Sequence, residues 1–359
     1  MRFEKLLRFS LLTLLVVLPW AGQPALIQAQ SDDEVIRVNT DLVVIDAQVL
    51  QKKTGRIVNS LTREDFQIYE DGVKQEITFF SQDKLPLSVV LLFDLTETVR
   101  PVLKPLAKGA LQALQHLKPG DEVAVMVYAA STIVVQDFTT DRQLITSAIE
   151  RAADMKLDEP AFFNEGVFHA AAQSRKATIP SSRRVIIWLT DNQPNIPSGW
   201  MRKMTGIPAG ELHTEKAAFT ELFESDTMVT GLIERSTLSV LVDIFGKKNP
   251  AFWPLYKHNP PGDVYKYAKQ TGGEVLGSSK EEVSGKLAEL IDHIRTRYTF
   301  GYRPSRAQTP GTFCKIKLKM APSIEKREGK VAIRTRSGYY RGAKRGQTNA
   351  PPPPLLQPI

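Results

Sequence analysis

The sequence predicts an α/β fold in which a doubly wound, mostly parallel sheet is flanked by two β segments. Between residues 87 and 297, short apolar runs alternate with amphipathic, helix-like segments, which is typical of parallel strands joined by crossover helices. Two of these apolar runs end in an acidic residue, Asp94 and Asp191. Before and after this region, branched and aromatic residues alternate with polar ones, a pattern that indicates β structure.

Within the α/β region the apolar runs predict strands, and the amphipathic segments predict helices. The predicted strands cover residues 88–94, 122–129, 132–137, 184–190 and 237–245. The predicted helices lie near residues 102–117, 141–152, 165–175, 215–235, 262–271 and 280–296. Only Ala130 and Ser131 separate the second strand from the third, so this pair must be an antiparallel hairpin, because a parallel connection needs a long crossover.

The two flanks predict β structure. Residues 36–81 hold two stretches rich in branched and aromatic residues, and the second carries a hairpin signal at Asp71-Gly72. After Tyr298 the same patterning returns in YTFGYRP, TFCKIKLKM and KVAIRTRSGYY. Each flank, at about 45 residues, is small for a core of its own. We therefore expect the two flanks to pair into one β module beside the α/β domain.

The first residues of the chain have the layout of a secretory signal. A basic start is followed by an apolar run from Leu11 to Leu18, then Pro19, then a small-residue cleavage site after Ala29. The run is too short to span a bilayer comfortably, so we expect cleavage and no stable membrane span afterwards. The mature protein is then expected in the periplasm, at the cell envelope or outside the cell.

These patterns divide the chain into five segments. They are a signal peptide at 1–29, an N-terminal β segment at 30–84, the α/β domain at 85–297, a C-terminal β segment at 298–342 and a proline-rich tail, expected to be disordered, at 343–359.

The formal net charge of +8 does not predict a nucleic-acid partner. Much of the excess lies in residues 315–346, where eleven Lys and Arg residues face two glutamates. Lys315, Lys317 and Lys319 recur at every second position, as expected on the solvated face of a strand. Aromatic residues of the kind that stack on bases are not interleaved with them. We therefore expect a solvated surface and no nucleic acid.

Asp94, Thr96 and Thr98 form an Asp-x-Thr-x-Thr sequence at the end of the first apolar run. This pattern places one carboxylate and two hydroxyls on the loop between a strand and a helix, where open α/β sheets hold their ligands. Asp191 ends a second apolar run and is expected at the same edge of the sheet. Oxygen ligands of this kind suit a hard divalent cation such as Mg²⁺. These four residues are therefore candidate metal ligands.

The same residues resemble the metal-ion-dependent adhesion site of the von Willebrand factor type A family. That motif has Asp-x-Ser-x-Ser after the first strand, a Thr on a later loop and an Asp at the end of the fourth strand. The chain matches four of these five positions, with Thr in place of both Ser residues. The stretches DFQIYEDGVKQEITFF, AKQTGGEVL, YTFGYRP and RSGYYRG further resemble an exported subfamily seen in acidobacterial genomes.

The fifth position departs from the motif. The family loop usually reads Gly-Gly-Thr, whereas LDEPAFFNEGVFHAAA puts Ala161 where the Thr ligand is expected. A carboxylate replacing that Thr would tighten cation binding but weaken the attraction of the metal for an acidic partner group. The alternative is a degenerate site in which Asp94 and Asp191 only accept hydrogen bonds from backbone amides. The candidate replacement ligands are Asp158, Glu159, Asn164 and Glu165.

The resemblance implies a non-enzymatic protein that binds other proteins, with Mg²⁺, or alternatively Mn²⁺ or Ca²⁺, as its cation. The cation would keep one coordination position open for a Glu or Asp of the partner. Two long insertions, after Asp191 and after Phe245, contain aromatic residues of the types enriched at interfaces, although such rings also serve to pack loops. These residues are Trp200, Phe252, Trp253 and Tyr256.

One enzymatic alternative stays open. The sequence DLTET also resembles the loop of HAD-like phosphoryl-transfer hydrolases that form an aspartyl phosphate, with Asp94 as the nucleophile. Those enzymes usually carry an acid-base Asp two residues after the nucleophile, where this chain has Thr96. The binding function is therefore favoured over the hydrolase.

Overall fold

The computed structural model describes residues 42–82, 84–96, 99–156, 162–192, 213–234, 263–306 and 309–341. None of the helices in these residues has the length and apolar character needed to cross a bilayer. Several predictions fall outside the described residues: the signal at 1–29, the strand at 237–245, Thr98, Asp158, Glu159, Ala161, the aromatic residues of both insertions and the tail at 343–359.

Strands and helices alternate through the middle of the described chain, and strands dominate its flanks. The strands are β1 (Val43–Gln51), β2 (Phe66–Glu70), β3 (Val73–Gln75), β4 (Ile77–Ser81), β5 (Leu87–Asp94), β6 (Glu122–Tyr128), β7 (Thr132–Thr139), β8 (Arg183–Thr190), β9 (Thr227–Glu234), β10 (Val275–Ser278), β11 (Tyr298–Tyr302), β12 (Phe313–Met320), β13 (Val331–Thr335) and β14 (Gly338–Tyr340). The helices are α1 (Arg100–Ala113), α2 (Arg142–Asp154), α3 (Phe163–Ser174), α4 (Glu215–Glu224), α5 (Val264–Thr271), α6 (Val283–Arg295) and α7 (Pro322–Glu328).

Six of the described strands form the central sheet in the order β10-β9-β8-β5-β6-β7. All pairs are parallel except β6 with β7, which form the predicted antiparallel hairpin. One face of the sheet packs against α1, α2 and α6, and the other face packs against α3, α4 and α5. Because both faces are covered, the central strand β5 is buried along its whole length. The predicted doubly wound α/β fold is confirmed.

Short polar residues set where several of these helices begin. The side chains of Asp141, Thr214 and Asp263 each accept a hydrogen bond from a backbone N–H in the first turn of α2, α4 and α5, respectively. At its other end α5 stops at Gly272, which takes a φ of 83° that favours glycine. Local capping therefore fixes the register of the helices that cover the sheet.

The helix predicted at 215–235 is wrong in its second half. Helix α4 ends at Glu224, Asp226 turns the chain with a φ of 55°, and Thr227–Glu234 forms β9. All eight residues of β9 are buried, between β8 and β10 and under helices on both faces. Its sequence, TMVTGLIE, lacks a strict alternation of apolar and polar residues, so periodicity does not separate it from a buried helix.

The two flanks pair with each other, as predicted. One four-stranded sheet has the order β13-β1-β11-β4 and the other has the order β14-β12-β2-β3, so each contains strands from both flanks. Ile45 and Val49 of the first sheet share a buried core with Ile68 and Leu318 of the second. The two sheets therefore form a β-sandwich that neither flank completes alone.

Strand β12 shows the alternation that its sequence predicts. Lys315, Lys317 and Lys319 are exposed, while Ile316 and Leu318 between them are buried. The basic residues of this stretch therefore lie on the solvated face of the sandwich.

Candidate functional site

Three acidic residues lie where three neighbouring strands end. Asp94 is the last residue of β5, Asp191 directly follows β8, and Glu234 is the last residue of β9. The three strands are parallel neighbours, so all three ends belong to the carboxyl edge of the sheet. All three residues are buried, with 0%, 6% and 2% of their surface exposed. We call this group the carboxyl-edge cluster.

The carboxylate of Asp94 is held by hydrogen bonds from its protein neighbours. Its Oδ1 accepts a hydrogen bond from the backbone N–H of Thr96 at 3.0 Å. Its Oδ2 accepts one from the Tyr128 hydroxyl at 2.9 Å and one from the Thr190 hydroxyl at 2.7 Å. The Thr96 side chain adds a further hydrogen bond, so protein donors engage the roughly four acceptor positions of this carboxylate.

Burial and a neighbouring charge make Asp94 hard to ionise. Burial, and to a smaller extent the charge of Asp191, raise the pKa of Asp94. The hydrogen bonds from Thr190 and Thr96 lower it, and the net value is about 6. A cation beside these carboxylates would oppose both effects and favour the ionised form. The electrostatics of the cluster therefore fit a site that binds a positive ion.

Tyr128 links Asp94 to the core. It closes β6, is fully buried, and accepts a hydrogen bond from Nε1 of Trp188 at 3.0 Å. Helix α3 approaches the Tyr128 ring so closely that a Cβ at Gly166 would lie 2.7 Å from its Cγ. Tyr128 was not predicted as a site residue; its signal in the sequence is a tyrosine at the end of an apolar run, on the strand next to β5.

The turn after β8 is fixed on both sides of Asp191. The Thr190 hydroxyl accepts a hydrogen bond from the backbone N–H of Asn192 at 2.9 Å. The Asn192 side chain in turn accepts one from the backbone N–H of Val264, the first residue of α5, at 3.1 Å. Asn192 has a φ of 57°, a conformation that asparagine tolerates better than most residues. Asp191 is therefore presented by a constrained turn.

Glu234 is the site residue that the sequence analysis missed. Its Oε2 is buried and has no hydrogen-bond partner among the residues that the structure describes. Burial raises the pKa of Glu234, Lys280 opposes the rise, and Asp191 adds to it. It was missed because the run that contains β9 was predicted to be helical, which gives no reason to place residue 234 at a strand end.

The structure places the predicted metal ligands in different surroundings. Asp94 and Asp191 lie together at one edge, and Thr96 is buried beside Asp94. Of the replacement ligands, Asn164 accepts a hydrogen bond from the Tyr267 hydroxyl at 2.8 Å, and Glu165 contacts two histidines. The two described candidates for the missing Thr position thus already bind other protein groups.

Two aspartates of the α/β domain lie at positions of the adhesion motif. Counted within the α/β domain, β5 is the first strand and β8 is the fourth, so Asp94 and Asp191 stand at the two aspartate positions of the adhesion motif. The α/β domain has the von Willebrand factor type A fold. In this type A domain the strand order reverses between β5 and β8, and open α/β sheets hold their ligands at the carboxyl edge beside such a point.

Similar backbones occur among solved structures. A von Willebrand factor type A structure from Catenulispora acidiphila is 9% identical and matches 79% of this chain and 76% of its own, with a TM-score of 0.41. The von Willebrand factor domain of the type V pili tip protein Mfa5 from Porphyromonas gingivalis is 9% identical. It matches 59% of this chain and 95% of its own, with a TM-score of 0.39. An aerotolerance-related membrane protein from Bacteroides fragilis is 12% identical and matches 58% and 98%, with a TM-score of 0.39.

No protein-family model matches the sequence, and no curated protein is detectably similar to it. Likenesses to solved structures of this low identity concern the fold and do not identify a ligand for the type A domain of this chain.

Proposed function

We propose that this chain is an exported, non-enzymatic protein that binds a partner protein at the carboxyl edge of its type A domain, with a divalent cation in the site. The observation that carries the proposal is the carboxyl-edge cluster. Asp94, Asp191 and Glu234 are three buried acidic residues at adjacent strand ends, and burial of several like charges is costly unless a positive group joins them.

The residues fit a hard cation. Asp191 lies close enough to Asp94 to shift its pKa, and Glu234 offers an oxygen without a partner among the described residues. Asp94, Thr96 and Asp191 would hold Mg²⁺, and Thr98 would join them by analogy with the family motif. All of these donors are oxygens, which favours Mg²⁺, Mn²⁺ or Ca²⁺ over softer metals. When bound, the cation would offer a coordination position to an acidic side chain of the partner.

Glu234 bears on the choice of partner. An ionised Glu234 would leave little positive charge on a bound divalent cation and would disfavour an acidic partner group. Burial raises the pKa of Glu234, and a protonated Glu234 would leave Asp94 and Asp191 to neutralise the cation. The proposal therefore predicts that neutralising Glu234 weakens cation binding less than neutralising the two aspartates.

The phosphoryl-transfer alternative is less well supported. A nucleophilic Asp94 needs an oxygen that a phosphorus atom can reach. Asp94 has no exposed surface, and both of its oxygens accept hydrogen bonds. A beryllium fluoride adduct on Asp94 would overturn the binding proposal in favour of the hydrolase.

Calorimetric titration with Mg²⁺ and Mn²⁺ tests the proposal directly. The wild type should bind one equivalent, and the double variant Asp94→Ala, Asp191→Ala should not. Glu234→Gln should retain binding. Asp292→Ala, which removes an exposed carboxylate on α6, is the matched control and should bind as the wild type does. A wild type that binds neither ion contradicts the cation site.

A further inference from the structure

We propose that Glu165, His169 and His213 form a second metal site, one that takes a divalent transition-metal ion of the Zn²⁺ class. Their ligand atoms all lie within 4.8 Å of one another. Nε2 of His169 lies 2.8 Å from Oε1 of Glu165, and Nδ1 of His213 lies 2.9 Å from Oε2 of Glu165. We call this group the histidine–glutamate cluster. None of its members belongs to the carboxyl-edge cluster.

Two of the ligands come from one helix. Glu165 and His169 are four residues apart on α3, so they lie on the same face one turn apart. The helix therefore positions one carboxylate and one imidazole without help from a loop. Sites built on helices hold their ligands more precisely than sites built on loops.

The third ligand is fixed by its surroundings. His213 directly precedes Thr214, which caps α4, and its backbone N–H donates a hydrogen bond to Oε2 of Glu165 at 2.9 Å. Its ring stacks on Phe168, with ring centroids 3.5 Å apart and an interplanar angle of 13°. Phe168 also contacts the ring of His169 edge-on. One aromatic side chain of α3 thus supports both imidazoles.

The donor set selects the class of metal. Two imidazole nitrogens and one carboxylate oxygen suit Zn²⁺ and its neighbours Co²⁺, Ni²⁺ and Cu²⁺, whereas Mg²⁺ and Ca²⁺ prefer oxygen alone. Zinc sites with two His and one Glu as protein ligands leave a further position for water or another group. Side-chain exposure of 43% for His169 and 32% for His213 leaves the cluster open to ions from solution.

The simpler interpretation is that Glu165 only accepts hydrogen bonds from two histidines. In that case the cluster stabilises the packing of α3 against α4 and has no affinity for metal. The two interpretations differ in one measurable property, which is the coordination of an added ion by imidazole nitrogen.

Cobalt titration distinguishes them. The purified protein, with any histidine tag removed and excess Mg²⁺ present to occupy oxygen-only sites, is titrated with Co²⁺ and followed by visible absorption. One equivalent should give a d–d spectrum of mixed nitrogen and oxygen coordination, which Zn²⁺ should abolish by displacement. His169→Gln and His213→Gln should each weaken binding by at least about tenfold. Absence of that spectrum in the wild type overturns the proposal.

Two controls keep the outcome specific. His116→Gln, at an exposed histidine of the short helix Leu114–His116, should leave Co²⁺ affinity unchanged. An equal loss in this variant would overturn the proposal. Asp94→Ala, Asp191→Ala should also retain the Co²⁺ spectrum, so failure of the carboxyl-edge cation site and failure of this site are told apart. If circular dichroism shows that His213→Gln is unfolded, the more exposed His169 decides the test.

Discussion

The hydroxyl of Tyr128 donates a hydrogen bond to Oδ2 of Asp94 at 2.9 Å, so the last residue of β6 fixes the last residue of β5. Tyr128 is itself fixed by Trp188, whose ring lies edge-on to it with centroids 5.9 Å apart. Phe163 packs edge-on against the same two rings. The candidate cation site is thus positioned by the aromatic core under α3, and its first carboxylate is held in place before any ligand arrives.

Replacing Asp94 by Asn should stabilise the protein at neutral pH when no divalent cation is present. The pKa of Asp94 is about 6 in the folded protein against 3.8 as its ordinary value, so ionisation favours the unfolded chain. The penalty is absent below about pH 4, grows as pH rises, and reaches about 3 kcal/mol above about pH 6. Urea denaturation with chelator present should show that the unfolding free energy of Asp94→Asn increases relative to that of the wild type between about pH 4 and about pH 6.

Added Mg²⁺ provides the control for Asp94→Asn. A cation bound at the carboxyl-edge cluster should stabilise the wild type and reduce the advantage of the variant at neutral pH. A difference in unfolding free energy that is the same at about pH 4 and about pH 7 would contradict the raised pKa.

The positions of Asp94 and Asp191 could be predicted from the sequence because they depend on one-dimensional signals. Each follows an apolar run, and parallel strands place their ends at one edge. Glu234 could not be predicted in the same way. The stretch that contains it was predicted to be helical, and its role depends on β9 lying next to β8.

The hydrogen-bond partners were also beyond sequence reasoning. Tyr128 lies 34 residues from Asp94, and Thr190 lies 96 residues away, so only the strand order brings them together. In the histidine–glutamate cluster, Glu165 and His169 follow a helical spacing, but His213 joins them only through the packing of α3 on α4. Contacts that depend on tertiary packing leave no recognisable pattern in the local sequence.

Replacing Asp46 by Asn should destabilise the protein by an amount that does not vary between about pH 5 and 8. Asp46 on β1 accepts a hydrogen bond from Nε of Arg183 on β8 at 2.7 Å, which ties the β-sandwich to the type A domain. Burial would raise the pKa of Asp46, but the charge and hydrogen bond of Arg183, with the charge of Arg297 and the hydrogen bond from Thr299, together lower it to about 2. The contribution to stability is therefore complete above the ordinary value of 3.8 and is lost only as pH falls towards 2.

The expected loss is about 2 to 4 kcal/mol, because Arg183 is left buried with its charge unpaired. Denaturation midpoints at the two ends of that pH range measure it. A loss that changes strongly between them would show that another group titrates with the pair.

Replacing Gly166 by Ala should destabilise the protein by about 1 to 3 kcal/mol. The new Cβ would clash with the Tyr128 ring, so α3 would have to move away from the sheet beneath it. Gly285→Ala is the matched control, since Gly285 is an exposed helical glycine on α6 with no neighbouring atom within 4 Å of a new Cβ. It should stabilise the protein by up to about 1 kcal/mol through helix propensity. Thermal unfolding of both variants measures the contrast, and equal shifts would refute the close approach of α3.

Replacing His293 by Gln should cost more stability at about pH 6 than at about pH 9. Nδ1 of His293 on α6 lies 2.8 Å from Oε1 of Glu274, and this hydrogen bond is the main cause that raises the pKa of His293. Protonated His293 is thus favoured in the folded state, so its contribution is complete below its ordinary pKa of 6.5 and is lost as pH rises through the higher folded value.

The expected cost of His293→Gln at about pH 6 is about 1.5 to 3 kcal/mol, typical of a hydrogen bond to a charged group. Arg334 of the β-sandwich also pairs with Glu274, so the carboxylate keeps one partner in the variant. His116→Gln, at an exposed histidine, is the matched control. A cost that stays equal at both pH values would mean that His293 contributes through packing alone, and that α6 is not held to Glu274 by a charge.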